Sequence, residues 1–323
     1  MDNQIKKIIV IIPYRGIGDA IFHIPLLRAL FLKYRKKLII ISNKVNHSSE
    51  IFKNEIFYDK IINFDFTRGS ILNYIKSAFK QLKIINNFNS DLLILTDPSS
   101  RIAIPALLSN SKKKVIAGLL SVRNLLQKKI NFRKKFLTSN LFILKKRLKL
   151  KNYNNQYRII IKDTKKNYKN KKFKYRKKLF FNIDSHHNHN NWGVKNFDFL
   201  INECLKYSSK IFINFSPRNI KMKNDFSFKI KNNKNIIFTF NEKINKIIKL
   251  INECDAIIGN ESGPICIGAS LNKKVYSLYS KKFSRPESRP ISKNIKYYVF
   301  NDINSKIISK KIIINIKRLF TKK

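Results

Sequence analysis

Short runs of β-branched residues alternate along the chain with longer stretches in which apolar side chains recur every three or four positions. "IIVII" at 8–12 predicts a strand, 20–34 a helix, 38–42 a second strand, "LLIL" at 92–95 another, and 103–108 another helix. The runs at 8–12 and 92–95 are apolar at every position, as expected for strands covered on both faces. Between 162 and 178, "KDTKKNYKNKKFKYRKK" has almost no apolar periodicity and reads as a basic linker or a long solvated loop. The rhythm then restarts, with strands at 178–184, 210–215, 235–240, 255–260 and 274–280 and helices over 195–207, 242–253 and 264–271. A last helical period covers 303–320 and is able to pack on either half. The pattern predicts an α/β fold of two Rossmann-like parallel-sheet domains facing a central cleft: 1–165, a basic linker 166–178, 179–302, and a C-terminal helix 303–323. Ligands of such sheets bind at the carboxyl ends of the strands.

Composition adjusts this picture in three ways. Lys and Arg number 68 against 19 Asp and Glu, a formal net charge of +49. Such a field attracts polyanions. The lysines, however, are spread through core-like and surface-like segments alike, and no aromatic-plus-basic module appears, so no nucleic-acid partner is expected. Peripheral attraction to an anionic membrane surface remains expected. Cys204, Cys254 and Cys266 lie far apart without CxxC spacing, which points to a reducing compartment and neither a disulfide scaffold nor a zinc site. No stretch approaches the roughly 20 apolar residues of a membrane span, so the expected location is the cytoplasm, at most peripheral to the inner face of its membrane.

Two stretches carry candidate chemistry. In "RGIGD", Gly16 and Gly18 follow the first strand and suit a tight turn and close backbone approach, and Asp19 opens a helix. A carboxylate there either caps the helix or acts as a base in the cleft above it. Pro25 should kink or loosen the second turn. The dinucleotide fingerprint GxGxxG is not met, since no third glycine follows Gly16 and Gly18 in the run through Ile24. In "DAIIGNESGPICIGASLNKKV", a strand ends at Asn260, a turn carries Glu261, Ser262 and Gly263, and a helix starts at about Pro264. Free N–H groups at such a start suit a diphosphate, and the small residues Gly268, Ala269 and Ser270 let the helix approach the sheet closely. In "SHHNHNNW", His186, His187 and His189 are too tightly spaced for one tetrahedral ion and read as phosphate donors; no metal is expected.

"RGIGDAIFHIPLLRAL" and "DAIIGNESGPICIGASLNKKV" together resemble the N- and C-terminal signatures of glycosyltransferase family 9, the ADP-heptose:lipopolysaccharide heptosyltransferases. "DLLILTDPSSRIAIPALLSNSKKKVIAGL" (91–119) and "NNWGVKNFDFLI" (190–201) resemble its middle segments, in the right order. The resemblance implies a GT-B fold and an inverting, metal-independent transfer with no cofactor beyond the co-substrate. It implies a nucleotide-sugar donor, ADP-heptose, in the C-terminal domain and a lipopolysaccharide-core or other cell-surface glycan acceptor at the N-terminal one. Asp19 would be the general base. Ser185, His186, Asn190, Asn260, Glu261, Ser262, Gly263 and Pro264 would face the donor diphosphate, and Arg15, Gly16, Gly18 and Arg101 the acceptor; Arg68 is a further candidate there. Four places depart from the family pattern. Glu261 stands for an Asp, Cys266 for a His, Asn190 and Asn191 for the residues that include a phosphate-binding Lys before Trp192, and Ser280-Lys281-Lys282 for a Gly-Pro-Thr. These departures leave open a transferase of another donor, a UDP-, GDP- or CMP-sugar. Charge alone also allows a non-catalytic basic binding protein.

Overall fold

The computed structural model describes residues 4–66, 70–117, 137–154, 157–161, 177–185, 190–282, 289–290, 292–301 and 303–321. The chain divides into two compact units, Met1–Ile160 and Ile161–Lys323. Of the segment 166–178 expected to link them, Lys177 and Lys178 are described, and Lys178 is already the first residue of a strand. Arg68, His186, His187 and His189 lie outside the described residues.

Unit 1 is built on five parallel strands: β1 (Ile8–Ile12), β2 (Leu38–Asn43), β3 (Tyr58–Phe64), β4 (Leu92–Leu95) and β5 (Lys113–Ile116). They pair in the order β3-β2-β1-β4-β5. β1 and β4 are buried at every position because both have a strand on each side and helices above and below, which is why their sequences do not alternate. The helices are α1 (Ile17–Tyr34), α2 (Ile71–Asn86), α3 (Ser100–Leu108) and α4 (Leu137–Arg147), with a single turn at Ser48–Ile51. α2 and α3 bury Ile85, Ala103 and Ala106 against Ile9, Ile11, Ile39, Ile41, Leu93 and Leu95 of the sheet. α1 starts three residues before the predicted 20 and runs through the buried Pro25 to Tyr34 as one helix. Arg28 anchors it, with Nε and Nη2 donating to both oxygens of the buried Glu55 at 3.1 and 2.6 Å and Nη2 also donating to Arg158 O at 2.6 Å.

Unit 2 carries six parallel strands: β6 (Lys178–Asn182), β7 (Lys210–Phe215), β8 (Ile236–Phe240), β9 (Ala256–Asn260), β10 (Lys274–Ser280) and β11 (Ile295–Phe300). Their order, β11-β10-β9-β6-β7-β8, reverses direction between β6 and β9, as unit 1 does between β1 and β4. Each sheet therefore has one point where successive connections leave to opposite sides and open a crevice at the carboxyl ends of two neighbouring strands. The helices are α5 (Val194–Cys204), α6 (Ile244–Glu253), α7 (Gly263–Ser270) and α8 (Ser305–Thr321), with a single turn at Phe228–Lys231. α8 packs on α5 within unit 2, placing Ile308, Ile312, Ile316 and Phe320 in its core. Cys204 and Cys254 are buried, which pushes both thiols up to about 12, and no cysteine is in a disulfide. No helix among the described residues is long and apolar enough to cross a membrane.

Candidate active site at the strand-order reversals

At the reversal in unit 1, β1 ends at Ile12 and a four-residue connection, 13–16, leads into α1. Buried amides from the end of β2 fix its path: Asn43 Nδ2 donates to Pro13 O and Asn46 Nδ2 to Tyr14 O, each at 3.0 Å. Asn46 is itself held by Ser48, whose hydroxyl donates to its Oδ1 at 2.7 Å. Gly16 occupies the N-cap in an extended conformation and Gly18 lies inside the first helical turn. Neither adopts the left-handed backbone that the predicted glycine turn invites. Gly16 leaves space for the carboxylate instead, since a Cβ there would meet Asp19 Oδ2 at 2.8 Å and push it aside.

Asp19 is the third helical residue, and its Oδ2 accepts the Gly16 N–H at 2.9 Å. The sequence offered capping and catalysis as alternatives, and the carboxylate does cap. It remains half-buried, and burial outweighs the Gly16 hydrogen bond, so its pKa is raised and it is a stronger base than an ordinary aspartate. His23, one turn on, is fully buried; its Nδ1 lies 2.6 Å from Asp19 O, which only accepts, so Nδ1 carries the proton. Burial holds this imidazole down to about 4, hence neutral.

Two further groups join Asp19 that the sequence reading did not single out. Tyr14 donates from its hydroxyl to Thr96 O at 3.1 Å and accepts from Asn140 Nδ2 at 3.0 Å. Burial first, then the charges of Asp97 and Asp19, push its phenol up, with the Asn140 hydrogen bond opposing. Asp97, two residues past β4, takes the Ser99 N–H at 2.8 Å in the turn before α3. Arg15 is exposed on the connection before α1, and Arg101 is exposed on the first turn of α3.

At the reversal in unit 2, the structure brings together most of the predicted donor residues. β9 and β6 run so close that a Cβ on Gly259 would meet Asn182 O at 2.3 Å. Asn260 is buried and spans the gap, its Nδ2 donating to Ile183 O at 2.7 Å and its Oδ1 accepting Trp192 N at 3.1 Å. Asn190 is buried at 6% exposure, with Nδ2 donating to Glu261 Oε2 at 3.4 Å. Ser185 is buried beside Asp184, whose Oδ2 accepts Ser216 N at 2.8 Å and Asn219 Nδ2 at 3.2 Å.

α7 begins at Gly263, one residue before the predicted Pro264. Ser262 has an extended backbone and does not cap the helix; its hydroxyl donates to Asn260 O at 2.8 Å and accepts from Asn182 Nδ2 at 3.0 Å. Pro264 has no N–H, so the first turn presents those of Gly263 and Ile265, which have no acceptor within the helix. Gly268 brings the helix onto the sheet as predicted, since a Cβ there would meet Ile257 Cδ1 at 2.8 Å. The result is a short helix with its positive end at the crevice, its side-chain cap turned away, and an Asn–Glu pair beside it.

An acidic residue follows within two positions of β4, β6 and β9: Asp97, Asp184 and Glu261. That position is the signal that would have found Asp97 and Asp184 from sequence, because residues just past a central strand line the crevice.

The sequence profile of "Glycosyltransferase family 9 (heptosyltransferase)" matches residues 103–312, well over half of the chain. No curated protein sequence matches this chain. Among solved structures, the glycosyl transferase family 9 protein from Veillonella parvula DSM 2008 is similar at a TM-score of 0.74 and 16% identity, covering 99% of this chain and 98% of that one. E. coli ADP-heptose lps heptosyltransferase II follows at 0.69 and 13%, covering 97% and 99%. E. coli heptosyltransferase WaaC with ADP-2-deoxy-2-fluoro heptose is similar at 0.69 and 11%, covering 96% and 99%. These likenesses show the GT-B fold of two parallel-sheet α/β domains, and the profile match shows the family. The chain belongs to glycosyltransferase family 9 and is an enzyme of nucleotide-sugar glycosyl transfer rather than the non-catalytic binding protein that its charge alone would allow.

Proposed function

We propose that the protein transfers heptose from ADP-heptose to a lipopolysaccharide-core or related cell-surface glycan with inversion, Asp19 acting as general base. In this reading the Asp19 carboxylate takes the proton of the acceptor hydroxyl, whose oxygen attacks the anomeric carbon. The bond from that carbon to the β-phosphate oxygen breaks, and ADP leaves. Its charge is met by the first-turn N–H groups of α7, with Ser262 and Asn190 beside them, and no metal or cofactor is called for. A single displacement inverts the anomeric centre.

The observation that carries the reading is Asp19 itself. It lies at the reversal point of the unit 1 sheet, fixed by Gly16 and made more basic by burial. It is N-terminal to the profile-matched residues, so its role rests on this geometry and on the "RGIGD" resemblance. The donor is proposed from the family and from the E. coli relative described with an ADP-heptose analogue. The test is transfer by the purified protein from ADP-heptose to a lipopolysaccharide core, read by mass spectrometry for the wild type and for Asp19→Ala. Turnover by the wild type with a loss of about 10³-fold in Asp19→Ala, at equal affinity for ADP, supports the reading; full turnover by the variant removes Asp19 as base.

One observation favours a second reading, another nucleotide sugar. Asn190 is committed to Glu261 near the place where the family resemblance calls for a phosphate-binding Lys. A thermal-shift panel of ADP-, UDP-, GDP- and CMP-sugars separates the two, since stabilisation by UDP-sugars alone would replace ADP-heptose.

A further inference from the structure

α2 carries two apolar faces, and the fold uses one. Ile85 and Gln81 are buried toward the sheet and α3, where Gln81 Nε2 donates to Ile102 O at 3.2 Å. On the opposite side Leu72, Ile75 and Phe79 recur at i, i+3 and i+7, exposed by 70%, 42% and 68%, with Ile71 beside them at 77%. α3 repeats the arrangement: Ala103 and Ala106 enter the core, whereas Arg101, Ile104 and Leu108 face solvent, Leu108 at 69%. Scattered exposed apolar side chains are ordinary, but rows of large ones on two packed helices mark a contact surface. Exposed Lys76, Lys80 and Lys83 border the α2 row, and neither helix contains an Asp or Glu.

We propose that this surface of unit 1 seats the protein on a bilayer bearing anionic headgroups. Leu72, Ile75, Phe79 and Leu108 enter the boundary between headgroups and acyl chains, and Lys76, Lys80, Lys83 and Arg101 meet the lipid phosphates. A helix that lies in the interface has this character, an apolar stripe edged by lysines. Charge selects lipid over a second copy of the chain, because two such faces brought together would set the same cations against each other with no carboxylate on either helix to offset them. Arg101, which the family resemblance places on the acceptor side, is exposed on the first turn of α3 beside this face.

The test is co-sedimentation of the full chain with vesicles of phosphatidylcholine alone and of phosphatidylcholine with phosphatidylglycerol. The overall charge draws any part of the molecule to an anionic vesicle, so the decisive variant is Leu72→Ser with Phe79→Ser, which leaves charge untouched. Its control is Ile220→Ser with Phe228→Ser, exposed apolar residues of unit 2. The proposal expects partitioning to anionic vesicles to fall about tenfold or more in the first variant and to hold in the second, with unchanged thermal unfolding in both. Equal partitioning of wild type and the first variant overturns it, as does an equal loss in the control. A dimer in solution that the first variant dissolves without altering vesicle binding also overturns it, and assigns the face to a second copy. Donor binding plays no part in this readout, so the result is independent of the transfer reaction proposed above.

Discussion

The β1–α1 and β9–α7 turns occupy the reversal points of their two sheets, and each leads through a glycine into a helix, yet they handle the helix N-terminus in opposite ways. At β1–α1 the fold supplies its own anion, Asp19, within the turn, and satisfies the Gly16 N–H with it. At β9–α7 the Ser262 side chain turns back to Asn260 O, and Glu261 is reached by Asn190 from the neighbouring connection. The first turn presents a base, and the second keeps backbone donors available for an anion. In the proposed transfer, one motif would supply the proton acceptor in unit 1 and leaving-group support in unit 2, according to whether the cap comes from the turn itself.

Asp19→Ala or Asp19→Asn should cost about 10³-fold in kcat, within the range of a lost general base, with nucleotide affinity unchanged by calorimetry. A loss confined to affinity would place Asp19 on the donor side and collapse the contrast. The pH–rate profile sharpens it: with Asp19 raised above an ordinary carboxylate, activity should climb with pH through that raised value and not through the usual carboxylate range.

His23 titrates the same turn. The unfolded imidazole takes its proton near 6.5 and the folded one only at about 4. The stability linked to it is therefore present above 6.5 and erodes as pH falls from 6.5 to about 4, by on the order of 3 kcal/mol. Hydrogen exchange of α1 across this window should show the loss, and His23→Gln should flatten it. Gly259→Ala breaks the other side, forcing β6 and β9 apart. We expect it to cost about 3 kcal/mol in urea unfolding of unit 2 and to abolish donor binding, while exchange in α1 stays native.

Asn190→Lys would add a cation beside the α7 N-terminus and should tighten ADP binding by about tenfold in calorimetry, the gain of one charge-assisted contact. No gain would mean that Glu261 absorbs the new charge. The smallest effect is on stability. A raised carboxylate favours the fold below the ordinary aspartate pKa and loses that contribution as pH rises through the raised value. Asp19→Asn should accordingly lift Tm at neutral pH by about 2 °C and leave it unchanged in acid.

Much of the fold was legible because the central strands are covered on both faces, so "IIVII" and "LLIL" stand out as uninterrupted apolar runs. Strands β3, β5 and β11 escaped notice, and all three are sheet edges. There Asp59, Lys60, Lys113, Lys114 and Lys296 are tolerated because one side of the strand faces solvent, and the apolar signal is broken. α2 escaped because its second apolar face blurs the single stripe that marks a buried helix. In the site, Asp19 and the Glu261–Pro264 turn were found because glycine or proline marks the start of each helix. Asp184 carried no such mark, and Tyr14 and Asp97, though beside Pro13 and Pro98, became part of the site only through the contacts and charges that strand order brings together.

By itself the sequence determined the two α/β halves, the Asp19 turn, the close approach at Gly268 and the family, because apolar runs, glycines and helix starts are local features set by neighbouring residues. Only the tertiary structure decided that Gly16 leaves space for the Asp19 carboxylate rather than forming a left-handed turn. It alone joined Asn190 to Glu261 across 71 positions, and set Asp97 beside Tyr14. Those pairings depend on strand order, and strand order is fixed by how the sheets bury their faces together, which no local stretch of sequence encodes.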